Sequence, residues 1–309
     1  MEKYDLVIIG AGPAGMSAAL FAEGDGLGFR LVEKGMPCEF VEEVINTNFT
    51  NLENYLGLHD VTGTETANIF RQHLELRRIP IHTEDIRKVH AEGNLFIVEA
   101  GGVSYGSTTL ILATGTSPRR LNVPGVDRIP ERVHYGINRD FSEYFGKCVL
   151  IVGGRNSGAV TAVRLKEAGA NPIIIEREYK STAKDKYIEK IHNLSIPYFL
   201  NSTLERVVGN SEIEWADVRI NGKKEQIKPI AIFSCVGYVP NSSLAKILGL
   251  KLDDQGYIEV NRKMQTSREG VYAAGDVNGG VKMIAVASGE GAIAEYYANS
   301  FVRQKWKKE

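Results

Sequence analysis

The sequence predicts an α/β fold made of two Rossmann-type dinucleotide-binding domains, with the second inserted into the first. A strand, a glycine-rich loop and a helix occur in that order twice, and a second strand ending in glutamate closes each copy. The same spacing separates Gly10 from Glu33 and Gly153 from Glu176. Two copies this far apart in the chain are typical of paired nucleotide-binding units and not of a solenoid.

The first copy has every feature of a dinucleotide-binding unit. It opens with "YDLVIIG", an apolar run typical of a parallel strand buried on both faces. In the loop "GAGPAG" the first glycine makes a tight turn, the second lets a pyrophosphate approach, and the third lets helix pack on strand. Pro13 suits the first helical turn. The sequence therefore predicts a dinucleotide site at Gly10, Gly12, Gly15 and Glu33.

The second copy departs from the pattern at one position. Strand "KCVLIVG", helix "SGAVTAVRLKEAG" and strand "PIIIE" follow in order, but the loop reads "GGRNSG" and places Arg155 where the middle glycine belongs. A Cβ atom there intrudes on the backbone contact with a pyrophosphate. Arg155 either folds outward and clamps a phosphate or fills the pocket. We expect a weakened site, because a flexible side chain is a poor substitute for glycine at this contact.

The remaining elements favour the insertion of one unit into the other. A loop-rich segment, 34–65, leads to a helix, "TANIFRQHLELRR", and to short strands near "IHTEDIRKVHA", "NLFIVEA" and "VSYGS". A further strand begins "TLILATG", and "GVYAAGDVNGG" is a strand ending at Gly275 and Asp276. The last helix is "GEGAIAEYYANSFVRQ", with its first turn near 289–292. The predicted domains are 1–117 with 244–309, and 118–243.

Composition narrows the class of partner and compartment. A formal net charge of −1 gives no basis for binding nucleic acid or an anionic membrane. No apolar run approaches the roughly 20 residues of a membrane span, and the N-terminus runs almost directly into a strand, so we expect no signal peptide. The three cysteines are odd in number and widely spaced, which favours neither a disulfide framework nor a metal site. We expect a cytoplasmic protein.

Taken together, "VIIGAGPAG", "LILATGTSPRRLNVPG" and "GVYAAGDV" resemble, in order and spacing, the FAD-domain motifs of the thioredoxin reductase-like flavoproteins, which belong to the class II pyridine nucleotide-disulfide oxidoreductases. The resemblance runs over nearly the whole chain. It implies an FAD-dependent oxidoreductase, a homodimer, with FAD in the first unit and a nicotinamide nucleotide in the second. It implies FAD contacts at Gly10, Gly12, Pro13, Ala14 and Gly15 (pyrophosphate), Glu33 (ribose), Ile86 (adenine), Asn54, Thr114, Gly115 and Gly275 (near the cofactor) and Asp276 (ribityl chain).

In the second unit, the resemblance implies a nicotinamide nucleotide site that prefers NADH to NADPH. Family members that use NADPH carry a basic cluster after the second strand of this unit, where this chain reads "EREYKST". A carboxylate at the strand end repels a 2′-phosphate and suits a free hydroxyl, so NADH is favoured over NADPH. Whether either nucleotide is used stays open. The candidate contacts are Gly153, Gly154, Arg155, Ser157, Glu176 and Arg177.

The chain also lacks the redox-active pair of thioredoxin reductases. Gly136 and Arg139 stand at the two cysteine positions of their C-x-x-C motif. Cys38 lies in the loop after Glu33, and we interpret it as an ordinary unpaired cysteine. We therefore expect no thioredoxin reductase activity, and we assign no catalytic residue and no metal ligand.

Two stretches, "VHYGINRDFSEYFGKCVLIVGG" and "VKMIAVASGEGAIA", look closer to the ferredoxin/flavodoxin–NAD(P) reductase branch, which implies ferredoxin, flavodoxin or a small molecule as acceptor. That branch has an aromatic residue stacked on the flavin, whereas Tyr297 and Trp306 are interpreted here as helix-packing residues. Two alternatives stay open: a flavoprotein reduced by ferredoxin without a nicotinamide, and a non-catalytic FAD-binding redox sensor.

Overall fold

A computed structural model describes residues 1–45, 52, 54–136 and 141–307, with the side chains of 43–45 excluded. Contacts divide the chain into two compact units: Met1–Ser117 with Val239–Glu309, and Pro118–Tyr238. The chain therefore returns to the first unit at Val239, whereas the sequence placed this boundary at residue 244. The predicted fold class is confirmed, since both units contain parallel sheets with flanking helices.

The first unit is built on a seven-stranded sheet. Strands and helices are numbered along the whole chain. The strands of this sheet are β1 (Lys3–Ile9), β2 (Phe29–Glu33), β3 (Ile81–Thr83), β4 (Ile86–Glu92), β5 (Leu95–Ala100), β6 (Val103–Leu112) and β17 (Val271–Ala273). The helices are α1 (Pro13–Gly24), α2 (Glu39–Ile45), α3 (Gly63–Leu76), α6 (Ser243–Ile247) and α7 (Ile284–Trp306).

Strand β6 organises this sheet. Along one edge it pairs in parallel with β1, which continues the parallel order β1-β2-β3. Its other edge is shared, because its first half pairs antiparallel with β5 and its last residues pair in parallel with β17. The segments "VSYGS" and "TLIL", expected as separate strands, are therefore one continuous strand. The loops that follow β1, β6 and β17 all leave from the same end of the sheet.

The apolar residues of β1 explain its position in the centre. Leu6 and Ile8 pack with α1, α3 and α7 on one face of the sheet. Val7 and Ile9 pack on the other face against residues of β5 and α6. All of these except Ile9, which is 6% exposed, are completely buried. A continuous apolar run is what a strand covered on both faces requires.

The second unit repeats this plan. Its strands β9 (Cys148–Val152) and β10 (Asn171–Ile175) flank helix α4 (Asn156–Glu167), as β1 and β2 flank α1. The other elements are β8 (Val133–His134), α5 (Asp185–Asn193), β11 (Tyr198–Phe199), β12 (Ser202–Asn210), β13 (Glu212–Ile220), β14 (Lys223–Ile227) and β15 (Ala231–Ser234). The parallel order is β11-β10-β9-β15-β8, and a separate antiparallel sheet has the order β12-β13-β14. The linking segments form a two-stranded ribbon of β7 (Thr116–Pro118) and β16 (Tyr238–Pro240).

The start of α7 corrects one expectation. The sequence placed the first turn of the last helix near Gly289–Ala292, but the helix begins at Ile284. Gly289 and Gly291 resemble helix-start signals in the sequence, yet both lie inside the helix. Gly291 is there for packing: a Cβ on it would lie 2.0 Å from the carbonyl oxygen of Ala14 in α1. The N-terminus of α7 therefore lies about a turn and a half before the predicted one.

Candidate functional site

In the first glycine-rich loop, two glycines are required by close backbone contacts and the third is not. Gly10 has φ +110°, and a Cβ on it would lie 2.2 Å from the Ala113 carbonyl oxygen. A Cβ on Gly15 would lie 1.8 Å from the Gly10 carbonyl oxygen. For Gly12, the described residues place no atom within 4 Å of the same point. Gly12 therefore leaves open space beside the N-terminus of α1, where a ligand can approach the backbone.

A carboxylate stands beside this loop. Glu33 Oε2 accepts a hydrogen bond of 2.7 Å from the Ala11 amide, and Oε1 accepts from the amides of Lys34 and Gly35 at 2.8 and 3.2 Å. The side chain remains partly exposed. Within the described chain no side chain caps the N-terminus of α1, so its first amides are free for an anion. Loop, helix end and carboxylate lie side by side, which is the arrangement that a dinucleotide needs.

The turn after β17 brings a second carboxylate to the same end of the sheet. Gly275 has φ +79°, and a Cβ on it would lie 3.0 Å from the Cβ of Ala14 and 3.6 Å from that of Ala287. Asp276 follows directly and begins a short 3-10 helix, Asp276–Asn278. Burial raises the pKa of Asp276, and the positive charge of Lys282 opposes the rise. The turn is therefore seated between the first turns of α1 and α7.

Glu290 was not found by sequence reasoning. Its Oε2 accepts hydrogen bonds from the Gly275 amide and from Asn278 Nδ2, both 2.8 Å long. Burial and the neighbouring charge of Asp276 raise its pKa, against the effect of these hydrogen bonds. A single acid inside a helix carries no sequence signal, because its contact with the turn depends on how α7 packs.

The end of β6 is held by a residue that the sequence also did not reveal. Thr114 Oγ1 donates to the Asn241 carbonyl oxygen at 2.7 Å, and Asn241 Nδ2 donates to the Thr114 carbonyl oxygen at 2.8 Å. The Asn241 amide donates to the carbonyl oxygen of Gly115, whose φ is +61°. Ile86, at the start of β4, is partly exposed, and Asn54 is exposed.

The second loop keeps the same backbone. Gly153 has φ +98°, and its Cβ would lie 2.4 Å from the Cys235 carbonyl oxygen; a Cβ on Gly158 would lie 1.8 Å from the Gly153 carbonyl oxygen. Arg155 has φ −72° and ψ −169°, close to the φ −81° and ψ −175° of Gly12. The arginine therefore fits the loop without strain, and its side chain is exposed.

The carboxylate of the second unit is placed like that of the first but is more buried. Glu176 Oε2 accepts from the Gly154 amide at 2.7 Å, the counterpart of the Glu33 bond to Ala11. Glu176 is only 6% exposed, and its Oε1 accepts from the Glu178 amide at 3.2 Å. Arg177 is exposed and forms an ion pair with Glu178 at 3.2 Å. Ser157, in the first turn of α4, is exposed.

Tyr198 is a second-unit residue that sequence reasoning missed. Its hydroxyl donates to the Gly154 carbonyl oxygen at 2.9 Å and lies 3.1 Å from Ser181 Oγ. A Cβ on Gly154 would lie 2.5 Å from the tyrosine ring. In the first unit the equivalent carbonyl, that of Ala11, accepts instead from the amide of Cys38. A tyrosine side chain therefore lies beside the second loop, where a backbone amide lies beside the first.

The three cysteines are free thiols, Cys38 buried and the other two partly buried. Cys38 is 3% exposed with Sγ 3.5 Å from Met16 Sδ, and burial raises its pKa to about 12. Burial also raises the pKa of Cys148, and that of Cys235 to about 11. All three are free thiols, protonated at neutral pH. Of the two positions that correspond to the missing cysteine pair, Gly136 is described, whereas Arg139 lies outside the described residues.

Among the described residues, no cluster of three or more histidine, cysteine, aspartate or glutamate side chains is arranged to hold a metal ion. No described helix combines the length and apolar character needed to cross a membrane.

Two glycine-loop units, one inserted into the other, define a flavoprotein-type oxidoreductase scaffold. Residues 4–291 match the pyridine nucleotide-disulphide oxidoreductase family, and the chain belongs to it. It is 30% identical to a "34.2 kDa protein in rubredoxin operon" of Clostridium pasteurianum, over 98% of this chain and 99% of that protein. It is 29% identical to the thioredoxin reductase of Bacillus subtilis, over 97% of this chain and 95% of that protein.

Solved structures give the same result. A thioredoxin reductase from T. acidophilum superposes with a TM-score of 0.88 at 32% identity, covering 97% of this chain and 99% of that one. A ferredoxin-flavin thioredoxin reductase from Clostridium acetobutylicum matches with a TM-score of 0.57 at 26% identity, covering 100% of both chains. The predicted resemblance to thioredoxin reductase-like flavoproteins is confirmed.

Members of this family bind FAD, and the first unit fits that cofactor. The space beside Gly12 is open, the amides at the start of α1 face it, and the carboxylates of Glu33 and Asp276 stand near the same end of the sheet. A pyrophosphate needs the first two features and sugar hydroxyls need the carboxylates.

Proposed function

We propose that this chain is an FAD-dependent oxidoreductase that passes electrons between a reduced nicotinamide, NADH in preference to NADPH, and an external acceptor without a disulfide relay. The observation that carries the proposal is the repeated geometry of the two units. Each has a glycine-rich loop at a helix N-terminus and a carboxylate hydrogen-bonded to the loop amide at 2.7 Å. FAD supplies the capacity to take a hydride and to release electrons singly.

In this proposal the first unit binds FAD and the second binds the nicotinamide. The amides at the start of α1, with Gly10, Gly12, Pro13, Ala14 and Gly15, hold the pyrophosphate. Glu33 and Asp276 accept hydrogen bonds from the ribose and the ribityl chain, because partly buried carboxylates are strong acceptors. Ile86, Asn54, Thr114, Gly115 and Gly275 line the same cofactor.

The preference for NADH rests on charge. Glu176 places a carboxylate at the end of β10, where NADPH would bring its 2′-phosphate. Arg177, the nearest cation in sequence, is paired with Glu178 and is not available as an isolated charge. A phosphate entering this region would be repelled by the Glu176 carboxylate at the strand end.

The cysteines of the chain favour an external acceptor. Residues 136–139 hold no cysteine pair, and the three thiols of the chain are protonated at neutral pH. We propose a small redox protein such as ferredoxin or flavodoxin, or a small molecule. The relative from a rubredoxin operon and the ferredoxin-flavin thioredoxin reductase neighbour support a small redox protein. A cytoplasmic location agrees with three free cysteines.

A second candidate is a flavoprotein reduced by ferredoxin with no nicotinamide. Three features of the second loop favour it: Arg155 at the glycine position, Tyr198 against Gly154, and a Glu176 that is only 6% exposed. Each reduces the surface that a dinucleotide would contact. The ferredoxin-flavin thioredoxin reductase named above is a neighbour in fold.

Anaerobic reduction of the purified protein distinguishes these functions. The protein is mixed in turn with NADH, NADPH and dithionite-reduced ferredoxin while the visible flavin band is recorded. We expect a yellow protein whose band bleaches faster with NADH than with NADPH. Bleaching by reduced ferredoxin but by neither nicotinamide would support the second candidate. If none of the three reductants bleaches the band, the remaining function is a non-catalytic FAD-binding redox sensor. A folded protein that takes up no added FAD would contradict all three.

A further inference from the structure

The carboxylate of Glu290 holds the turn that presents Asp276. One oxygen, Oε2, accepts both the backbone amide of Gly275 and the side-chain amide of Asn278, at 2.8 Å each. Asn278 Oδ1 in turn accepts from the amide of Gly280 at 2.9 Å. The two ends of the short 3-10 helix Asp276–Asn278 are thus tied to one side chain of α7.

This turn needs an anchor because its conformation is unusual. Gly275 has φ +79°, in the region that favours glycine, and it is seated against Ala14 of α1 and Ala287 of α7. Its amide is buried there and requires an acceptor. Glu290 provides that acceptor, directly before the residue from which the Asp276 side chain leaves the turn.

We propose that Glu290 is a positioning residue for FAD binding. It sets the orientation of the Asp276 carboxylate through the Gly275 amide and Asn278, without touching the cofactor itself. The proposal rests on the proposed function, since it takes FAD as the ligand of the first unit. What it adds is that cofactor affinity depends on a hydrogen-bond acceptor in the second turn of α7.

The acceptor, and not the negative charge, is what the geometry requires. A glutamine at position 290 keeps an oxygen that can accept from both the Gly275 amide and Asn278. An alanine keeps the helix but leaves both donors without their partner. The two substitutions therefore separate the hydrogen bonds from the charge.

The experiment is FAD titration of the apoprotein, followed by flavin fluorescence and by visible circular dichroism of the bound flavin. We expect Glu290→Ala to raise the Kd for FAD by about tenfold or more and to change the dichroism, because the ribityl partner is misdirected. Glu290→Gln is expected to stay within about threefold of wild type. Asn278→Ala, which removes one of the two bonds, is expected to fall between them.

Glu295→Ala is the matched control. Glu295 lies on the same helix and is completely buried, and neither Gly275 nor Asn278 is among its partners in the described chain. The control is expected to change the thermal stability of the apoprotein while leaving the Kd for FAD unchanged. An unchanged Kd in this control would show that a change in the stability of α7 alone does not reproduce the effect of Glu290→Ala.

The outcomes separate the two proposals. Wild-type protein that binds no FAD would overturn the proposed function. If wild type binds FAD, equal affinity in Glu290→Ala and wild type would overturn the positioning role, as would a Glu290→Gln variant as weak as Glu290→Ala. Should Glu290→Ala not fold, wild-type affinity in Asn278→Ala would overturn the role in the same way.

Discussion

Arg155 and Gly12 occupy equivalent positions in two loops with nearly the same backbone angles. Gly10, Gly15, Gly153 and Gly158 are fixed by contacts below 3 Å with the protein's own backbone, and Gly154 meets the Tyr198 ring. For Gly12, the described residues place no atom within 4 Å of the Cβ position. The fold itself therefore does not require glycine at this position. The Arg155 guanidinium can swing away into solvent, but its Cβ cannot move, because the backbone fixes it.

Replacing Arg155 by glycine and by alanine tests which part of the side chain matters. If the Cβ obstructs the nucleotide, Arg155→Gly speeds flavin reduction at low NADH by about tenfold or more, the effect of regaining a charge-assisted hydrogen bond of about 1.5–3 kcal/mol. Arg155→Ala keeps the Cβ and is expected to match wild type. The measurement is stopped-flow reduction over a range of NADH concentrations. Slower reduction in both variants would show that the guanidinium clamps a phosphate.

The residues predicted from sequence are those whose role follows from a local pattern. Glycines at fixed spacing and an acid at a strand end can be recognised without knowing how the chain packs, as Gly10, Gly15 and Glu33 show. Glu290, Asn241 and Tyr198 could not be recognised in this way. Each acts on a partner far away in sequence: 15 positions for Glu290 to Gly275, 127 for Asn241 to Thr114 and 44 for Tyr198 to Gly154.

At the scale of elements, α1 and α7 pack closely through small residues. Gly291 of α7 lies against the Ala14 carbonyl in the first turn of α1, and Gly275 is seated beside the same alanine. The strands and helices of the two glycine-loop repeats, together with α3 and α7, were predicted because their apolar residues follow the period of the element. The antiparallel sheet β12-β13-β14 and the helices α2, α5 and α6 were not predicted, and α2 lies within the segment 34–65 that was expected to be loop-rich. The start of α7 was misplaced because its glycines serve interhelical packing, which the sequence alone does not distinguish from a helix boundary.

Two glycine-to-alanine substitutions two residues apart in α7 have opposite expected effects. Gly291→Ala puts a Cβ 2.0 Å from a backbone carbonyl oxygen that cannot move away, so it lowers stability, by about 1–3 kcal/mol. Gly289 is exposed, with no described atom within 4 Å of its Cβ position, so Gly289→Ala raises stability, by up to about 1 kcal/mol. Urea denaturation of the apoproteins measures both. Equal effects in the two variants would mean that α7 does not pack on α1 as described.

The same helix carries a buried acid that makes stability depend on pH. Burial raises the pKa of Glu295 from 4.5 to about 7, and nearby Asp25 adds to the rise while Arg303 opposes it. The folded state therefore favours the protonated acid, and the free energy of unfolding falls as pH rises from about 4.5 to about 7. Above that range the loss is complete.

Glu295→Gln removes this titration. Relative to the variant, wild type is expected to lose about 2 kcal/mol of stability between about pH 5 and about pH 8. Urea denaturation of both proteins at the two pH values gives the difference, with FAD either absent from both or in equal excess. A difference between wild type and variant that is the same at both pH values would contradict the raised pKa.

At the scale of the whole molecule, the two units share one plan and differ at their ligand-facing positions. Both have a parallel β-α-β arrangement with the glycine-rich loop at the same place. Their antiparallel strands differ, since β4 and β5 continue the main sheet of the first unit whereas β12, β13 and β14 form a separate sheet in the second. Periodicity and loop spacing predict this duplication well. They do not predict which unit keeps its ligand, because that depends on residues such as Arg155 and Tyr198 that leave the fold intact.

We expect the chain to form a homodimer through its first unit. The family resemblance supports this expectation, and a closed twofold pair is the commonest oligomer of soluble proteins. Size-exclusion chromatography with light scattering is expected to give twice the 34.0 kDa of one chain. A mass equal to one chain across the accessible concentration range would contradict it.

Electron uptake per flavin is the most direct test of a flavoprotein without a disulfide relay. In an anaerobic titration with dithionite, FAD as the only redox centre accepts about two electrons per flavin, whereas a redox-active disulfide in series raises the total to about four. We expect about two electrons in wild type and in Cys38→Ser alike. An uptake of about four electrons in wild type that falls to about two in Cys38→Ser would show that this cysteine takes part in a relay.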